Sequence, residues 1–110
     1  MKWYKDLFLG ETIAPDAKKI IKRIKNKKLT PDVYVIAFAS NPQNLLDIIP
    51  SWELLQKGYP KEQVHIIGLA MGKPEAMELV RQIVDITYQT TGNVNVKLYL
   101  KSKRRDEAWA

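Results

Sequence analysis

Residues 33–60 read VYVIAFASNPQNLLDIIPSWELLQKGYP, and residues 64–70 read VHIIGLA. The runs at 33–39 and 64–70 are almost wholly apolar and rich in β-branched side chains. A strand buried on both faces of a parallel sheet reads this way. Between them, Leu45, Leu46, Ile48, Ile49, Trp52, Leu54 and Leu55 recur with a helical period. The linking segment is therefore expected to be a helix. Pro50 must kink or split it, and Gly58, Tyr59 and Pro60 end it.

Outward from this centre the same alternation continues. Gly72-Lys73-Pro74-Glu75 opens a longer helix whose buried face is expected from Met77, Leu79, Val80, Ile83, Val84 and Ile86, and Gly92-Asn93 closes it. Residues 94–101, VNVKLYLK, alternate strictly between apolar and polar, which predicts a half-exposed strand at a sheet edge. Upstream, Pro15 and Asp16 suit a first helical turn. Ala17, Ile20, Ile21 and Ile24 then form an apolar stripe, so a helix is predicted over residues 15–28. In residues 1–11, Trp3, Tyr4, Leu7 and Phe8 have the spacing of a short amphipathic turn, with an extended edge segment as the alternative. Residues 102–110 read as a frayed tail.

The expected order is thus α-β-α-β-α-β: a single α/β domain over residues 1–110, built as a small three-layer sandwich. Its sheet is expected to be three-stranded and mainly parallel, with right-handed crossovers and a Rossmann-like topology.

At 110 residues and 12.7 kDa there is room for one core of ordinary composition, 45% hydrophobic and 27% charged. The chain has no cysteine, which excludes disulfides, thiolate metal sites and cysteine nucleophiles. A single histidine, His65, excludes a multi-histidine zinc site, so neither a metal nor a cofactor is expected. The apolar runs are too short to span a bilayer, and the first residues lack a signal-peptide pattern; a cytoplasmic location is the expectation.

The net charge of +6 is unevenly placed. Residues 18–28, KKIIKRIKNKK, carry seven cations and no acid; residues 101–105, KSKRR, carry four more. Together they hold 11 of the 18 Lys and Arg, which leaves the rest of the chain with seven basic against 12 acidic residues. Lys18, Lys19, Lys22, Arg23, Lys25, Lys27 and Lys28 form a row that suits nucleic-acid backbone or another polyanion, with Lys103, Arg104 and Arg105 assisting. Six of the seven are lysine, so base readout is not expected. A solvated helix face and a membrane-surface role are the competing readings of the same row.

Two further functions compete with this one. In the first, the edge strand at 94–101 pairs with a second copy to form a homodimer. In the second, an anion site lies at the carboxyl ends of two parallel strands, formed by Ser40, Asn41, Asn44, Gly72 and Lys73. Ser40 or Asn41 capping a helix and Gly72 making a turn account for the same residues without a ligand. No phosphate-loop glycine pattern or nucleophile elbow is present, and the sequence identifies no serine or carboxylate to act with His65 as a general base. The reading therefore leans away from an enzyme, with no catalytic residue assigned. The stretch at 33–60, followed by VHIIGLAMGKPEAMELVRQIV, resembles a group of short bacterial proteins of about this length with no established activity. That resemblance implies a free-standing bacterial protein and no site residues.

Overall fold

The computed structural model describes residues 1–41 and 43–104, with side chains up to residue 101. Strand β1 (Lys2–Leu9) leads through a 3-10 turn (Ala14–Asp16) into α1 (Ala17–Lys25). Strands β2 (Val33–Phe38) and β3 (Leu46–Pro50) follow, then two 3-10 turns (Ser51–Leu55 and Lys61–Gln63), β4 (His65–Met71), α2 (Lys73–Thr91) and α3 (Val96–Arg104).

The sheet has four strands in the order β1-β4-β2-β3, with β1 parallel to β4 and the other two pairings antiparallel. This overturns the expected three-stranded, mainly parallel, Rossmann-like sheet. The cause lies in the segment expected to be a helix between β2 and β4. Residues 39–45 are too few for a crossover helix, and they let the chain turn back as a hairpin. Leu46–Pro50 then pairs with β2, Val35 opposite Ile49 and Tyr34 opposite Pro50. Pro50 is tolerated because β3 is an edge strand, and it ends the strand rather than kinking a helix. Leu45 and Trp52, which the helical period had placed on a buried face, are exposed.

Residues 94–101 are also corrected, from strand to helix α3. Asn95 caps the helix: its Oδ1 accepts from Leu98 N at 3.0 Å, and its carbonyl accepts from Tyr99 N at 3.1 Å. Val96 and Leu100, four apart, are buried against α2, while Val94 and Leu98 are exposed. The alternation was real in sequence, but only half of it faces the core. The edge strand offered for homodimer formation is therefore absent, and the sheet's edges are β1 and β3. Residues 2–9 take the extended form rather than a helical turn. Trp3 and Tyr4 are both buried, one on each face of the sheet, as period-two alternation requires.

Two cores flank the sheet. On one face, Ile20 and Ile24 of α1 pack with Trp3, Val33, Val35, Ile49, Ile66 and Leu69. On the other, Ala76, Leu79 and Ile83 of α2 and Val96 and Leu100 of α3 pack with Tyr4, Ile36, Ile67 and Ala70. The buried stripe of α2 is Ala76, Leu79, Ile83 and Thr87; Met77 and Ile86 of the expected face point to solvent. Strand β4 serves both cores, and its alternation breaks once. Ile36 pairs with Gly68 and Ala37 with Ile66, which leaves Ile67 as the extra residue of a bulge. Gly68 is required there. A Cβ would lie 3.0 Å from the Phe8 carbonyl oxygen and 3.3 Å from Leu79 Cδ2.

Helix α1 ends in a Schellman turn: Lys28 N donates to Arg23 O at 2.9 Å and Lys27 N to Ile24 O at 3.1 Å. The residue at its left-handed position is Lys27, with φ +57°. A glycine there avoids the Cβ clash, so Lys27→Gly should stabilise the fold by about 1 kcal/mol, read as a higher urea midpoint. Gly68→Ala should destabilise it by about 1–3 kcal/mol in the same assay, because a backbone carbonyl cannot yield as a side chain can.

Candidate functional site

The cations of residues 18–28 come together as expected. Ala17, Ile20 and Ile24 turn inward, so all seven basic side chains are exposed around α1 and the turn that follows it. Among the described residues, none of the seven forms an ion pair with a carboxylate. Two are positioned by local contacts. Arg23 Nη2 donates to the Leu29 carbonyl at 2.9 Å, and Lys25 Nζ lies 5.5 Å from the centroid of the Trp3 ring. The cations in the last turn also complement the negative end of the helix dipole. Lys103 and Arg104 continue α3, but their side chains lie outside the described residues, as does Arg105 altogether.

The anion site expected from Ser40, Asn41, Asn44, Gly72 and Lys73 is not assembled. Because β2 and β4 are antiparallel, Ser40, Asn41 and Asn44 follow β2 at one end of the sheet, and Gly72 and Lys73 follow β4 at the other. At the Gly72 end a carboxylate of the chain itself occupies the position of an anion. Glu75 accepts from Met71 N at 2.7 Å through Oε2 and from Thr12 N at 2.9 Å through Oε1. A Cβ on Gly10 would collide with this carboxylate, so the loop after β1 is closed down onto it. Burial raises the Glu75 pKa, but hydrogen bonds from Met71, Thr12 and Ile13 outweigh it and hold the group below its usual range.

The opposite end of the sheet is open. Ser40, Asn41 and Asn44 line a cavity of about 450 Å³ with Phe38, Leu45, Asn93, Asn95 and Lys97. A second cavity of about 350 Å³ shares Phe38, Ala39, Ser40 and Lys97 and adds Asp47, Tyr59, Gln63 and His65. Strand pairing puts Asp47 beside this loop, where its carboxylate accepts from Ser40 N at 3.0 Å and from Ser40 Oγ at 3.3 Å. Lys97 Nζ lies 6.0 Å from the Phe38 ring centroid, and the His65 ring centroid lies 5.9 Å from that of Phe38. Burial lowers the His65 pKa, and the charges of Lys2, Lys97, Lys101 and the Met1 amine lower it further. Near neutral pH this lowering keeps the imidazole uncharged. Tyr59 is pushed the other way, by burial and then by Glu53 and Asp47.

Sequence reasoning left out Asp47, Tyr59, His65 and Lys97 as a group. Asp47 had been placed on a helix and Lys97 on a strand, so no periodicity brought them to one cleft. The available signal was the Asn-rich stretch before α3, which reads as a cap once residues 94–101 are helical.

The Glu75 geometry carries a pH dependence of known sign. Its folded pKa lies below the ordinary glutamate value of 4.5, so its contribution is complete above that value and lost as pH falls through the depressed one. Glu75→Gln should cost about 1–2 kcal/mol at neutral pH and flatten the acid limb of a stability-versus-pH curve. The urea midpoint followed through the acid range checks both. Comparison with known proteins adds no assignment to this geometry: no family model, curated protein or solved structure matches the chain.

Proposed function

We propose that this chain is a non-catalytic polyanion-binding protein that contacts nucleic-acid backbone through the exposed face of α1. One observation carries the reading: seven cations in residues 18–28 are exposed together and, among the described residues, paired with no carboxylate. Six are lysines, which act as point charges rather than bidentate forks, so recognition follows the phosphates and not the bases. A lipid surface is the weaker partner. An interfacial helix needs a free apolar face, and Ile20 and Ile24 of α1 are 7% and 3% exposed because the sheet occupies that face.

Binding of this kind is governed by counterion release. Fluorescence anisotropy with labelled single- and double-stranded oligonucleotides should give a Kd of about 10⁻⁴–10⁻⁶ M with little sequence preference. The log–log slope against salt should be about −0.9 per phosphate engaged on duplex. Replacing Lys18, Lys19 and Lys22 together by Gln changes exposed side chains and should make that slope shallower by up to about 3. Unchanged affinity and slope in the triple variant would remove α1 from the interface. No binding at low salt would overturn the proposal itself.

A further inference from the structure

Apart from α1, the described residues bring unlike chemistry together at the open end of the sheet, between the loop after β2 and the start of α3. The two cavities there meet at Phe38, Ala39, Ser40 and Lys97. Together they have the size of a small-molecule site. One half holds a cation beside an imidazole, Lys97 and His65, both set against the Phe38 ring. The other half is lined with side-chain amides, from Asn41, Asn44, Asn93 and Asn95. We propose that this cleft binds a phosphomonoester, its dianionic phosphate between Lys97 and His65 and its organic part over Phe38 in the asparagine-lined half. The site is separate from α1 and does not depend on its role in polyanion binding.

The charges facing His65 favour an anion. Lys2 comes from β1, and Lys97 and Lys101 come from α3. Asp47 of β3 is the acid in the same cavity, and its carboxylate is turned onto the Ser40 amide and hydroxyl. The amides supply donors and acceptors for an organic group, although Asn41 Oδ1, Asn93 Oδ1 and Asn95 Oδ1 are already engaged by Gln43 N, Asn95 N and Leu98 N. Their NH₂ groups and both ends of Asn44 carry the recognition. Burial and then the ammonium charges disfavour the imidazolium, and a phosphate arriving beside His65 offsets those charges, so binding and protonation of this histidine are coupled.

His65 is the only histidine in the chain, so its imidazole gives one unambiguous NMR signal. The test follows that signal through a pH titration with inorganic phosphate, with adenosine monophosphate, and with chloride at matched ionic strength. Phosphate and the nucleotide should raise the His65 pKa and saturate with a Kd of about 1 mM or tighter, the nucleotide binding more strongly; chloride should not. Lys97→Met, at an exposed position, should weaken binding at least tenfold, while the Lys18, Lys19 and Lys22 triple Gln variant should leave it unchanged. A parallel arm compares an oligonucleotide with and without a 5′-phosphate. A shift seen only with the phosphorylated strand assigns the phosphomonoester to a nucleic-acid end rather than to a free metabolite. No shift with any phosphate, or an equal shift in Lys97→Met, overturns the proposal. Loss of oligonucleotide binding in the α1 variant with the His65 response intact would separate the two sites.

Discussion

Strand β4 is the constraint on which the rest of the structure depends. It is hydrogen-bonded on both edges, to β1 and β2, and buried on both faces, so it has no free side on which to absorb an error. Its bulge at Ile67-Gly68 sends Ile66 and Leu69 to the α1 side and Ile67 and Ala70 to the α2 side. Gly68 allows the Phe8 carbonyl and the Leu79 side chain to approach where a Cβ would stand. One small residue thus fixes how closely β1 and α2 meet the sheet centre. Helix α1 can keep a short, strongly charged form because its two buried isoleucines, Ile20 and Ile24, dock on a surface that β4 has already defined.

The antiparallel setting of β2 against β4 divides the molecule's chemistry between two ends. Where β1 and β4 both finish, backbone N–H groups converge, and Glu75 satisfies them from within the chain. That end is closed by its own carboxylate and contributes stability rather than binding. Where β2 finishes, the acid that crosses the loop, Asp47, braces Ser40 and leaves Lys97 and His65 facing a cavity. Both ends gather polar groups, and the larger cavities lie at the second.

How far the sequence could be read followed from how many patterns each segment satisfied. The runs at 33–39 and 64–70 are dense in β-branched residues and bounded by turns, and both became strands. Residues 17–25 and 73–91 carry sustained helical stripes with recognisable ends, and both became helices. Two shorter segments satisfied two patterns at once. Residues 94–101 alternate as a strand does, yet Val96, Tyr99 and Leu100 also have helical spacing, and the Asn95 cap decides between them. Residues 46–50 suit a helix by spacing and a strand by composition, and pairing with β2 decides. The first decision rests on a local cap, whereas the second is not local, because it depends on a partner strand that the sequence does not mark. The consequences for the site were not local either. Reading residues 46–50 as helix makes β2 and β4 parallel and places Ser40 beside Gly72. Reading them as strand sends those residues to opposite ends.

The charge on α1 makes little sense as a device of stability. Seven like charges within residues 18–28 repel one another, and although Asp16 lines a cleft with Lys19 and Arg23, no carboxylate forms an ion pair with any of the seven among the described residues. The dipole at the helix end returns at most a fraction of that cost, since it acts only on the last turn. Lys27 adds strain, because it holds a left-handed backbone where glycine is unstrained. The cation–π contact of Lys25 with Trp3 and the bond from Arg23 to Leu29 are the local returns, and among the described residues no ion pair with a carboxylate holds the other five cations. A surface that weakens its own helix is relieved when an external polyanion supplies the missing counter-charge, so ligand binding and helix stability should rise together. That coupling distinguishes a working basic face from a merely solvated one: a solvated face gains the same stability from any salt at equal ionic strength, whereas a phosphate-binding face gains more from a polyphosphate than screening alone provides.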